Sequence, residues 1–186
     1  MVRGLIRYID ISYFVRFMLL FLALYYFNIF YLGITTAGGK FYSPFLEHHL
    51  NYINWIRNAI LYTANFIDNI LGVHSYVDGP QIIKSSSGVG VNVWLPCLGL
   101  GIISFWIAFV ITQTNNWHHK LIWSLAGVVI VWFINCWRIA LLLLSLDHKW
   151  KGNIFIDHHK MFNIVAYSVI IYLMYLTNTS VRMNTL

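Results

Sequence analysis

Charge is what this sequence has least of. Only 10% of its 186 residues are charged and just six are acidic, where a soluble domain carries about 25%. With 59% hydrophobic residues and a mean hydropathy of +0.67, the chain belongs with polytopic membrane proteins rather than soluble ones. The 12 Lys and Arg leave a net charge of +6, but they are scattered over short loops and termini. No basic stripe tracks a phosphate backbone, so the charge reads as topology and nucleic acid is excluded as a partner. Cysteine is equally scarce. Cys97 and Cys136 are too few for a disulfide framework, and their settings suggest different depths, which leaves at least one available as a working thiol. No internal repeat or low-complexity tract is visible.

Hydrophobic runs organise the chain. Residues 12–33 are about the length a spanning helix needs and follow Arg3 and Arg7, an uncleaved anchor with its N-terminus inside rather than a signal peptide. Residues 51–72 carry Asn51, Asn54, Asn58, Asn65 and Asp68 at helical spacing, the pattern of an amphipathic helix lying in the interface or spanning with its polar seam buried. Residues 73–96 read as a turn, a loop and a short extended segment, with Asp78-Gly79-Pro80 and Ser85-Ser86-Ser87-Gly88 as breakers. Three further spans are expected at about 97–114, 121–146 and 162–178. The Lys and Arg counts of the two intervening loops decide orientation weakly; Arg3, Arg7 and Arg182 on one side require an even number of spans. The expected fold is an all-α membrane protein, a bundle of four spanning helices, or five if residues 51–72 also cross. An amphipathic helix and a short extended segment complete it, all within a single integral membrane domain of residues 1–186.

Three places could carry chemistry. Cys97 follows Pro96, a residue suited to the first helical position, and an expected helix N-terminus there would favour thiolate and hold an oxyanion. Gly99 and Gly101 would let another backbone come close; the bland alternative is a small buried cysteine. Arg138 lies inside an apolar run, where a guanidinium costs about 2.5–3.5 kcal/mol on insertion scales. Snorkelling, or a tie to Asp147 or Asp157, is its structural alternative. If the helix leaves the membrane near Leu146, Arg138 lies about 12 Å below, and Asn135, three residues earlier, shares its face. The third is "IDHHKMFN", where Asp157 could cap a helix and His159 shares a face with Asn163. A histidine there can act as general acid and base, or be merely interfacial. His48-His49 shows how common such doublets are here, and His118-His119 falls in the loop at the opposite side. Thiol, guanidinium and imidazole on three successive spans, all at one side, describe acyl transfer through a thioester.

These motifs resemble the exosortase/archaeosortase family of membrane-embedded cysteine transpeptidases. The resemblance rests on "CLG" at Cys97–Gly99, on "NCWRI" at Asn135–Ile139, which fits an N-x-x-R pattern, and on His159 opening the last helix. It covers a catalytic core of about 75–178. It implies Cys97 as nucleophile, His159 as acid/base and Arg138 as stabiliser, with Asn135, Gly99 and Asn163 in support, and no metal or cofactor. The implied substrates are exported proteins bearing a C-terminal sorting signal of motif, membrane helix and basic tail. They would be cut and passed to an acceptor at the outer face of the bacterial cytoplasmic (inner) membrane, with membrane lipid as the other partner. The family usually has glycine four residues after its histidine; here that position is Asn163.

Other classes remain open on the residues alone. A hydrolytic cysteine protease would use the same site, since water and an amine compete for one thioester. A non-catalytic subunit of an export system could use Arg138 to bind an anionic substrate. A haem or metal subunit needs facing histidines at midplane, whereas every histidine here sits near a span end or in a loop.

Overall fold

The computed structural model describes residues 11–36, 38, 39, 41–148 and 158–183, with side chains described through 148 and over 163–177. The expectations for Arg3, Arg7, Asp157 and Arg182, and for the side chains of His158 and His159, lie outside these described residues.

The first apolar run folds as α1 (Ile11–Thr35). After a short turn come α2 (Pro44–His49) and α3 (Tyr52–Ile70). The stretch expected to be turn, loop and one extended segment is instead a three-stranded antiparallel meander. Its strands are β1 (Ser75–Asp78), β2 (Ile82–Ser85) and β3 (Gly90–Asn92), in the order β1-β2-β3. The all-α expectation is therefore corrected at this point. Gly79 and Gly88 turn the chain at φ +76° and +91°, conformations that cost glycine nothing. Alternation does the rest: Ile83, Ser85, Val91 and Val93 face inward, while Lys84 and Asp78 form an ion pair on the other side. Two apolar helices follow, α4 (Leu100–Thr112) and α5 (Trp117–Asp147), and then α6 (His158–Met183).

Two of these helices, α1 and α5, are long and apolar enough to cross a membrane. The packing that joins the bundle is aromatic and small-residue packing. Phe17 and Phe21 of α1 set their rings edge-on against Phe105 of α4 at 5.2 and 5.8 Å. Trp106 of α4 is fully buried and its indole N–H donates to the Trp123 carbonyl of α5. Gly127 makes room for it, since a Cβ there would sit 1.9 Å from the indole nitrogen.

The second half of α5 has a different environment. With 31 residues, α5 is about 46 Å long, some 16 Å more than a hydrocarbon core. Its last turns carry Cys136, Ile139, Ala140 and Leu143, which pack against Ile60, Leu61, Ala64 and Ile67 of α3 and against Ile83, Val91 and Val93 of the sheet. The meander and α3 thus jacket the end of α5. The polar seam expected on α3 is only partly united: Asn51 and Asp68 are buried and Asn54 and Asn65 half-buried, but Asn58 is exposed and Trp55, Tyr62 and Phe66 look outward. The helix is amphipathic as expected, with Ile53, Ile60, Leu61, Ala64 and Ile67 on its buried face.

Asp68 lies inside the jacket with none of its surface exposed and, among the described residues, no hydrogen-bond partner on either carboxylate oxygen. Asp147 nearby accepts hydrogen bonds from the Ser85 and Ser87 hydroxyls, which hold its carboxyl below the usual carboxylate range. It is therefore tied to the sheet. Burial, and then the charge of Asp147, push Asp68 up to about 7. A carboxyl raised by folding stabilises the fold in its neutral form. That contribution is complete below the ordinary carboxylate pKa and is lost as pH rises through about 7. Asp68→Asn should therefore melt higher than the parent, by a few degrees, with an advantage that grows between pH 5 and pH 8. A parent melting temperature that does not fall over that interval contradicts this account of Asp68.

Candidate active site

Cys97 is not at the start of a long helix. Leu95–Leu98 form one turn of 3-10 helix with Pro96 in its first turn, and Gly99 then breaks the chain at φ +70° before α4 begins at Leu100. The Cys97 backbone N–H is already spent on the Trp94 carbonyl. The expected gift of a free helix N-terminus to this sulfur is thus corrected: the turn carries the cysteine out in front of α4 instead. Its thiol is half-buried and free, whereas Cys136 is sealed in the core.

What meets the sulfur is Arg138. Its Nη2 donates toward Cys97 Sγ at 3.7 Å, and the residue as a whole retains only 8% exposure. The contact sets a cation beside the sulfur in a poorly hydrated place, where charges are weakly screened. Arg138 lies about 31 Å from the start of α5 at 1.5 Å per residue, a full hydrocarbon thickness. Its helix neighbours Cys136, Ile139, Ala140 and Leu143 are covered by α3 and the sheet.

Asn135 reaches the same turn from one helical turn earlier on α5. A Cβ on Gly99 would stand 2.4 Å from Asn135 Nδ2 and 3.0 Å from Val131 Cγ1. Gly99 is required twice, for its positive φ and for this approach. The Asn135 carboxamide is 6% exposed, and its Nδ2 has no hydrogen-bond partner among the described residues. A buried donor without a partner costs about 1–3 kcal/mol and is ready for an incoming oxygen. Gly101 plays no such part, since its Cβ would meet only Tyr25 at an ordinary 3.7 Å.

Beside the turn opens a cleft of about 340 Å³ between α1, the Pro96–Gly99 turn and α6. Asn28, Pro96, Gly99 and Asn163 line it. Asn163 therefore stands at the same cleft as Gly99, and His159 lies one turn earlier along α6. His118 and His119 open α5 at its other end, about 30 Å from Arg138 along the helix.

Sequence reasoning missed Asn28 and Tyr52. Asn28 donates to Ser104 Oγ at 3.1 Å and accepts from the Tyr52 hydroxyl at 2.6 Å. It ties α1, α3 and α4 together at the wall of the cleft. An asparagine inside the α1 apolar run was the available signal. Among the described residues no group of three or more His, Cys, Asp or Glu is placed to hold a metal.

The family model for transmembrane exosortases matches residues 11–176. No curated protein and no solved structure matches the chain.

The contact between Arg138 and Cys97 can be read without any substrate. On a Cys136→Ala background at pH 7, Arg138→Gln should slow alkylation of Cys97 by iodoacetamide about 3- to 10-fold, because the attacking sulfur loses the cation in contact with it. Gly99→Ala should disturb the same rate by displacing Asn135 and the turn. Alkylation indifferent to Arg138→Gln would remove the guanidinium from the chemistry of this sulfur.

Proposed function

The chain belongs to the transmembrane exosortases, and from that premise we propose that it cleaves C-terminal sorting signals through a Cys97 thioester and passes the acyl group to an acceptor. In this reading α1, α4, α5 and α6 are four crossings of the cytoplasmic membrane, with the sheet end of the bundle at its outer face. The exported polypeptide is held in the cleft beside Gly99 while its own membrane helix remains in the bilayer. The catalytic core runs over about 75–178 within one membrane domain. The observation that carries the reading is the 3.7 Å contact of a buried guanidinium with a half-buried thiol inside the matched region.

The chemistry follows from the side chains. Cys97 thiolate attacks the scissile carbonyl carbon, and the carbonyl oxygen becomes an oxyanion. Arg138 and the free Asn135 Nδ2 are the donors within reach of this turn, and donors aimed at a developing charge are among the largest catalytic terms. The tetrahedral adduct collapses as the C–N bond breaks, and the leaving amine takes a proton from His159 in its imidazolium form. The acceptor then attacks the thioester carbonyl, gives its proton to His159, and expels Cys97 thiolate. Asn163, one turn from His159 and lining the cleft, supports the substrate backbone there.

The test is co-expression with an exported reporter carrying a motif, a membrane helix and a basic tail. Cys97→Ala should abolish processing, Arg138→Gln should lower it about 10²- to 10³-fold, and His159→Ala should lower it far more than His158→Ala. Processing that survives Cys97→Ala ends the thioester reading. A product released with a free carboxylate in place of an acceptor would make water the second nucleophile and the enzyme a protease.

A further inference from the structure

A second buried guanidinium stands outside this site. Arg57, one turn into α3, is 8% exposed. Its Nη1 donates to Asn54 Oδ1 at 2.7 Å, its Nε has no hydrogen-bond partner, and no carboxylate lies within ion-pair distance of it among the described residues. A guanidinium so largely buried is normally paired with an anion. Among the described residues no carboxylate supplies that pairing.

Arg57 lines a polar pocket of about 220 Å³ with Thr35, Glu47, Asn51, Asn54 and Gln81. Its lining presents donors. Asn51 Oδ1 is committed to the Asn54 backbone N–H and Asn54 Oδ1 to Arg57, so both carboxamides keep their NH2 groups for a ligand. The Thr35 hydroxyl donates to the Tyr31 carbonyl. Glu47, the one carboxylate, is engaged by the Tyr42 hydroxyl. The pocket also lies at the N-terminal turn of α3, whose backbone dipole favours an anion.

Depth identifies the anion. α1 runs about 36 Å from Ile11 to Thr35, more than the roughly 30 Å hydrocarbon core and less than the 40–45 Å full bilayer. Thr35, at the pocket wall, thus comes to the level of the lipid phosphates when α1 spans. Phe45 of α2 and Trp55 of α3, on the elements that line the pocket, are 64% and 58% exposed, the kind of side chain that lies among headgroups and upper acyl chains. We propose that the Arg57 pocket is a phospholipid site, in which Arg57 and the carboxamides of Asn51, Asn54 and Gln81 hold the headgroup phosphodiester. The site rests on α1 crossing the bilayer and not on the thioester chemistry.

The test uses the full chain purified in dodecyl maltoside, which contains no phosphate. It is titrated with dioctanoyl phosphatidylglycerol, with dioctanoylglycerol lacking the phosphate, and with glycerol 3-phosphate lacking the chains. Phosphatidylglycerol should raise the melting temperature saturably and remain bound in native mass spectra, while the other two should do neither. Arg57→Gln should weaken that response at least tenfold, Arg57→Lys should retain part of it, and Arg138→Gln should leave it intact. An equal response to dioctanoylglycerol overturns the site, as does an undiminished response in Arg57→Gln. Saturation by glycerol 3-phosphate alone makes it a free-phosphate site and overturns the lipid. Should Arg57→Gln not fold, the comparison of ligands on the parent and Arg57→Lys decide the matter, and processing by the Cys97 site is scored separately.

Discussion

A guanidinium cannot be taken out of water without something that repays its lost hydration, and the sheet end of this bundle is arranged around that constraint at Arg138. The helix that carries it is too long for a hydrocarbon core, so its last turns need a protein cover. α3 and the three-stranded meander supply that cover, and Asp147, held by Ser85 and Ser87, fastens the end of α5 to the sheet. With one flank closed in this way, the open flank of α5 meets the turn bearing Cys97. The polarisable sulfur of Cys97 is a partner on that side. Removing the cover would hydrate the cation and weaken its hold on the thiol, because Coulomb attraction falls as the effective dielectric rises.

The same constraint accounts for Gly99. A helix starting directly at Pro96 would carry the cysteine round with the helical screw, away from α5. One turn of 3-10 helix followed by a left-handed residue stops that rotation and restarts the helix at Leu100. Only a residue without Cβ permits both the φ of +70° and the contact with Asn135. Two elements distant in sequence are brought together at one position with no side chain.

How much of this was legible in the sequence depends on range. Asn135 and Arg138 were readable as one face because a three-residue spacing is local helical geometry, and Pro96 marked a helix start beside Cys97. The restart of the helix at Leu100 was not legible, since proline marks a helix start without saying whether the first turn is α or 3-10. The meander showed only its last strand, in the alternation of "VGVNVW"; the four-residue strands "SYVD" and "IIKS" are too short to display a period. The cover over Arg138, the Asn28–Tyr52 tie and the Arg57 pocket were invisible for a further reason. Each depends on α1, α3 and the sheet meeting in space, and no periodicity within one segment encodes its partner.

Arg57 and Arg138 have the same exposure and opposite surroundings, and that contrast separates their uses. Arg138 faces a sulfur supplied by the chain itself, and the carboxamide beside it offers one unpaired donor. This is an arrangement that waits for charge to appear on a neighbouring atom during a reaction. Arg57 faces no acceptor beyond a neutral carboxamide, and the donors around it converge on an open volume. This arrangement requires a charge already present, carried in by a separate molecule. A transient oxyanion would suit it poorly, because between turnovers the cation would have no anion beside it. A permanently ionised group at constant high local concentration meets the need at all times, and the phosphodiesters of the bilayer surface are that group.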